Sequence, residues 1–137
     1  MPDPVNDERL LVLLTYGLFL IAPPFGGISA LIGAVIAYVR SAHVAGSIYE
    51  SHYRNQLQVF WTMLGCALLM WTVMAFAMGA SFFSLLWPFG WPWHLLMVGA
   101  GWAMLIPFAG LLFLMLVLWY YWRMISGFVR ALDDKPF

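Results

Sequence analysis

Between Arg54 and Arg123 the chain carries no Asp, Glu, Lys or Arg, so the 68 residues Asn55–Trp122 form one uncharged run. A second such run, Leu10–Val39, spans 30 residues. A helix crosses the hydrocarbon core of a bilayer with ~20 apolar residues. Lipid offers no partner for a bare backbone amide or carbonyl. Runs of this length therefore direct the chain to an all-α, polytopic membrane fold. Composition agrees: apolar residues make up 64% and charged residues 9%, against about 25% charged in soluble domains.

The first run is interrupted by Pro23-Pro24-Phe25-Gly26-Gly27. Proline removes an amide donor and clashes with the preceding turn, and glycine supplies a joint. The flanking pieces, residues 10–22 and 28–39, each reach roughly 20 Å at 1.5 Å per residue, short of the ~30 Å core. Either the run is one broken, tilted span, or it is a hairpin of two short helices. The chain then reads as one integral domain, 1–137, with spans at about 10–39, 59–80 and 94–122, three in all or four if the first run turns back. Short amphipathic cytoplasmic helices are expected at 47–58 and 123–132. The second rests on Met124, Ile125, Phe128, Val129 and Leu132 recurring at helical spacing, and Asp133-Asp134 stops it.

Ser47 and Glu50 have the spacing of a capping box, which predicts a helix starting near Ile48. Glu50 and Arg54 stand at i, i+4 in the favourable order. Phe82–Trp93 holds six aromatic residues together with Pro88, Gly90 and Pro92, and is read as an interfacial loop anchored by tryptophan. Pro107 is expected to kink the last span, which closes on Trp119-Tyr120-Tyr121-Trp122-Arg123. Arg40, Arg54, Arg123, Arg130 and Lys135 flank the 40–58 loop and the last span, whereas the aromatic loop has no basic residue. By the positive-inside rule the 40–58 loop and the C-terminus are cytoplasmic, and the side of the N-terminus is open. Asp3, Asp7 and Glu8 outnumber Arg9 and no A-x-A-like site follows, so no cleaved signal peptide is expected.

The residues offer little chemistry. A formal charge of zero without a basic patch argues against nucleic acid. The lone Cys66 excludes a disulfide framework or a cysteine zinc site within one chain. His43 and His52 lie nine apart and His94 belongs to another segment, so no helical i, i+4 zinc pair exists. No catalytic, cofactor-binding or metal site is assigned, and the chain is read as a non-enzyme. The spans carry no charge of the kind that lines ion pathways. Two features stand out instead. Gly26, Ala30 and Ala34 form one row of small residues and Ser29, Gly33 and Ala37 the adjacent row, a candidate helix-packing interface of the small-xxx-small type. Ala75 with Gly79, and Gly99 with Ala103, repeat the spacing. Glu50, His52, Arg54 and Gln56 form a candidate interfacial polar cluster, in which His52 could latch onto a C-terminal carboxylate such as Asp133.

Ser51-His52-Tyr53-Arg54-Asn55-Gln56, leading into Phe60-Trp61, resembles the small bacterial membrane proteins grouped as Tic20-like. So do Tyr16-Gly17-Leu18, the Gly26-Gly27 break, Ala37-Tyr38-Val39-Arg40 and Ala131-Leu132-Asp133-Asp134. Pro23-Pro24 and the tryptophan-rich 87–93 stretch depart from that pattern. The resemblance implies a helical protein of the bacterial inner membrane and transfers no activity, since fold does not give function. The expected role is that of an accessory or interaction subunit of a membrane assembly, with the bilayer and other membrane subunits, or copies of itself, as partners. The alternative is a homo-oligomeric conduit for a small or apolar substrate.

Overall fold

The computed structural model describes residues 4–86 and 93–137, and among these every regular element is helical. In chain order they are α1 (Pro4–Leu20), a 3-10 turn (Pro23–Phe25), α2 (Ile28–Ser41), α3 (Ile48–Leu86) and α4 (Trp93–Leu132). α3 and α4 are long and apolar enough to cross a membrane. With 39 and 40 residues they extend about 60 Å at 1.5 Å per residue, twice the hydrocarbon thickness. The chain, read above as one integral domain, groups into two compact units: Met1–Met63 with Leu118–Phe137, and Leu64–Val117.

In the first unit the initial apolar run folds back on itself. Gly26 and Gly27 take φ values of 62° and 84°, a left-handed geometry that glycine adopts without penalty, and they reverse the chain after the 3-10 turn. α2 then packs antiparallel to α1. At one end Gly33 faces the Phe19 ring, and a Cβ on Gly33 would lie 3.0 Å from it. At the other end Arg40 pairs with Glu8 at 3.2 Å. Of the two geometries open to the sequence, the hairpin is the one formed.

The core of this unit follows helical periodicity. α1 contributes Val12, Thr15, Tyr16 and Phe19, all fully buried at i, i+3, i+4 and i+7. α3 contributes Tyr49, His52, Tyr53, Gln56 and Val59, and α4 contributes Tyr120, Met124 and Ala131. Tyr120 donates its hydroxyl to the Phe19 carbonyl, near the end of α1, where that oxygen also accepts from Ala22 N–H at 3.0 Å.

Four local expectations are revised. α3 starts at Ile48, but no reciprocal capping box forms. Ser47 Oγ donates to the Val44 carbonyl at 2.7 Å, and Glu50 Oε2 accepts from Gly46 N–H at 2.7 Å. The carboxylate thus caps one residue upstream, where Gly46, at φ 83°, turns its amide toward it. Glu50 is consequently turned to Gly46 and makes no ion pair with Arg54. Residues 123–132 are no separate surface helix either: α4 runs through them unbroken, because no proline stands between Trp119 and Leu132. The aromatic stretch is helical as far as Leu86, since Pro88 is the first residue there that excludes helix; 87–92 lie outside the described residues.

The second unit pairs the apolar parts of α3 and α4. α4 continues through Pro107. Trp102 Nε1–H donates to Ser81 Oγ at 2.8 Å, and Ser81 in turn donates to the Ala77 carbonyl at 2.7 Å. The unit contains no Asp, Glu, Lys or Arg, and its large side chains, among them Trp71, Phe76 and Met104, stay mostly exposed.

Candidate functional site

The polar residues of the first unit converge on Tyr16. One α-helical turn beyond Val12, its ring points from α1 between α3 and α4. There it lies edge-on to the His52 ring, with centroids 5.9 Å apart and planes at 85°. On the α4 side it meets Gly127, where a Cβ would approach its Cζ to 2.6 Å. Only glycine permits that approach.

Six polar groups then join in sequence, and the donors can be assigned from the two ends. His52 Nε2 lies 2.9 Å from the Lys135 carbonyl oxygen; a carbonyl only accepts, so Nε2 carries the proton. In the neutral ring Nδ1 is then the acceptor, and the Tyr16 hydroxyl at 3.2 Å donates to it. The Tyr16 oxygen accepts from Asn55 Nδ2–H at 3.3 Å. Asn55 Oδ1 accepts from Arg123 Nε–H at 2.6 Å, and Arg123 Nη2 donates to Gln58 Oε1 at 2.9 Å. The chain runs from the guanidinium of α4 to the backbone beyond Asp134 and ties three helices to the tail.

That tail is held at several points. Asp134 turns the backbone with φ 53°, and Lys135 N–H closes on the Arg130 carbonyl at 3.0 Å. Phe137 N–H donates to Ser51 Oγ at 3.0 Å, while the Phe137 ring lies 5.3 Å from both the Arg123 and the Arg130 guanidinium. On the α1 side Arg9 donates to the Leu132 carbonyl and pairs with Asp134 at 3.4 Å. His52 thus does meet the C-terminal segment, through the Lys135 carbonyl rather than through Asp133, whose carboxylate pairs with Lys135 Nζ at 3.2 Å.

Burial disfavours a charged imidazole. His52 is 1% exposed in the polar opening turns of α3, ahead of the span read from Val59. Burial lowers its pKa below the usual 6.5; the Lys135 carbonyl opposes the shift and the Arg130 charge adds to it. Neutral His52 has one lone pair, and Tyr16 occupies it, so this ring has no free donor atom for a metal. Neighbouring Tyr53 donates to Glu8 Oε2 at 3.5 Å, with its pKa raised by burial and by the Glu8 carboxylate. Among the described residues, no three His, Cys, Asp or Glu side chains gather into a metal-binding group.

The sequence-derived cluster divides between two faces of α3. His52 and Gln56 turn inward; Gln56 Nε2 donates to the Val12 carbonyl at 3.4 Å, and its buried Oε1 has no partner. Glu50 and Arg54 line an open cleft of about 500 Å³ together with Ser47, Ser51, Gln58, Arg123 and Phe137. The small-residue rows also divide. Ser29, Gly33, Ala34 and Ala37 are buried and Ala30 is half-buried, while Gly26 is exposed in the turn. Gly33 lies against α1 of the same chain, where the other helix of the expected contact is found. The Ala75–Gly79 pair sits on a hollow of about 560 Å³ flanked by Phe76 and Phe83, and a Cβ at Gly79 or Gly99 would meet nothing within 4 Å. His94 stands in the first turn of α4; His43, in the 42–47 connection, has Nδ1 2.9 Å from the Val39 carbonyl oxygen.

Sequence reasoning missed Tyr16, Asn55, Gly127 and the Lys135 carbonyl. Tyr16 did carry a signal, the i, i+3, i+4, i+7 stripe of Val12, Thr15, Tyr16 and Phe19. Gly127 carried one too, as an isolated glycine inside a helical pattern. Comparison with family models, with characterised proteins and with solved structures gives no match.

Proposed function

We propose that this chain is a non-enzymatic, multi-pass protein of the bacterial inner membrane, of the Tic20-like kind, and that it serves as an interaction subunit of a membrane assembly. The observation that carries the reading is the exposure of the apolar helices. The most apolar 18-residue windows of α3 and α4 are 6% and 0% buried within the chain. Lipid covers most such surface, but Ala75, Gly79 and Ala80 gather small side chains in one shallow hollow beside Phe76 and Phe83. Small residues at a lipid-facing position forgo van der Waals contact, whereas at a helix–helix contact they permit close approach. The cytoplasmic side is proposed from charge. Arg9, Arg40, Arg54, Arg123, Arg130 and Lys135 all belong to the first unit, and the hairpin returns the start of α1 to the end that holds Arg40. With the positive-inside rule this supports a cytoplasmic start of α1 and a cytoplasmic tail.

The test is purification of the full chain from its native membrane in a mild detergent, followed by native mass spectrometry, with Gly79→Leu alongside. The expected result is a second membrane protein in fixed ratio that Gly79→Leu loses. A closed homo-oligomer would favour the conduit reading. A monomer with no companion in either sample would refute the interaction reading.

A further inference from the structure

The charges of the first unit do not all balance locally. Arg40 and Arg9 pair with Glu8 and Asp134, and Lys135 with Asp133. Among the described residues, the polar and ring contacts of Arg123 are with the neutral amides of Asn55 and Gln58 and with the Trp119 and Phe137 rings. Arg54 makes no hydrogen bond or ion pair among the described residues. Both line the same cleft of about 500 Å³. Among the described side chains that line it, Glu50 is the one carboxylate, and it is tied to Gly46 N–H. The two guanidinium groups therefore hold N–H donors to spare in the cleft. A guanidinium has five N–H groups, and the two named bonds leave three of those on Arg123. Its hydrogen bonds to Asn55 and Gln58 hold the guanidinium in place, with the Trp119 and Phe137 rings 5.7 and 5.3 Å away, so little freedom is lost when it accepts a ligand.

Depth in the membrane points to the ligand. Arg123 directly follows the Trp119–Trp122 aromatic belt, and such belts lie at headgroup level. Arg54 stands five residues before Val59, where the apolar span begins. We infer that this cleft is a binding site for an anionic phosphate group, held between Arg54 and Arg123, with the headgroup of an acidic phospholipid as its source. The shared chemistry would equally admit a free phosphate ester from the cytoplasm. The inference rests on the membrane reading for its lipid source, but not on the helix-packing reading, which concerns a different unit.

The experiment uses the full chain in a neutral detergent and three probes: dioctanoyl phosphatidylglycerol, dioctanoyl phosphatidylcholine and inorganic phosphate. Phosphatidylglycerol is expected to bind at least tenfold more tightly than phosphatidylcholine. Arg54→Gln should weaken it about tenfold, the loss of one charge-assisted contact, while the melting temperature without lipid stays unchanged, since Arg54 is exposed and makes no hydrogen bond or ion pair among the described residues. Phosphatidylglycerol binding that resists competition by inorganic phosphate would assign the site to lipid. Displacement at comparable concentrations would assign it to a soluble phosphate and leave the anion site standing. Equal binding of the two lipids, or Arg54→Gln binding as tightly as the parent, would overturn the inference. Because the readout is ligand affinity and not complex formation, its failure is distinct from loss of a partner in Gly79→Leu.

Discussion

Gly127→Ala is the substitution most sensitive to the geometry around Tyr16. In an exposed helical position, replacing glycine by alanine gains up to about 1 kcal/mol of helix propensity. At Gly127 the new methyl would come within 2.6 Å of Tyr16 Cζ, roughly 1 Å inside ordinary contact. The ring is fully buried and cannot swing away, so it must shift as a body, and overpacking of this kind costs about 1–3 kcal/mol. The shift also withdraws the hydroxyl from His52 Nδ1 and from Asn55 Nδ2, at 3.2 and 3.3 Å. A buried polar group left unpaired costs about 1–3 kcal/mol. The lengths of these bonds put the loss toward the lower end. After the helix gain is subtracted, the net destabilisation is about 3 kcal/mol, of order a hundredfold in the folded-to-unfolded ratio. Thermal unfolding in detergent should show it, with Gly65→Ala as the control of opposite sign, because nothing lies within 4 Å of a Cβ there. In a Tyr16→Leu background the cost of Gly127→Ala should largely disappear, as a double-mutant cycle reports. If Gly127→Ala is neutral or stabilising, like the control, the close approach of Tyr16 to α4 is wrong.

Further outcomes follow from the same contacts. Because burial holds the folded-state pKa of His52 below 6.5, its contribution to stability is complete above that value and is lost as pH falls through the folded pKa; melting curves should drop on acidification, and His52→Gln should lack that component. Gly33→Leu drives a branched side chain against the Phe19 ring, 3.0 Å from the Cβ position, and should lower the melting temperature by the equivalent of about 1–3 kcal/mol; an unchanged profile would mean α2 does not pack on α1 there. Gln56→Met removes a buried carbonyl oxygen that has no partner and only one long hydrogen bond, so it should leave the melting temperature unchanged or raise it by the equivalent of up to about 1 kcal/mol; a large drop would show that Gln56 is fully paired. Cysteines at 51 and 84, both on α3, in a Cys66→Ser background, should label from opposite sides of the membrane, and labelling from one side would contradict a crossing by α3.

What could be read from the sequence was whatever a single window of chain contains. The uncharged runs, the Pro23–Gly27 break and the start of α3 at Ile48 are local. So is the separation of inward His52 and Gln56 from outward Glu50 and Arg54, which follows from 100° per residue. Two errors came from reading side-chain polarity as if it bounded a helix. At Arg123 the residues change from apolar to amphipathic, and at Phe82 they become aromatic, yet the backbone bonds of α4 and α3 continue, since neither change removes an amide or forbids the α region. The polar chain through Tyr16 was beyond local reading for another reason. Its links join residues 36, 39, 68 and 83 apart in sequence, and one end is a backbone carbonyl, which every residue possesses. The hairpin turned on nearer partners that still lie outside one window. Whether 10–39 crosses or returns depends on where Arg40 and Phe19 find contacts, and these are Glu8 and Gly33. That return has a chemical consequence no composition shows: it brings Tyr16 beside His52, which occupies the imidazole lone pair with a hydroxyl proton. A histidine that looks free in the sequence, and open to a metal or to acid, is thereby committed to holding α1, α3 and the tail together.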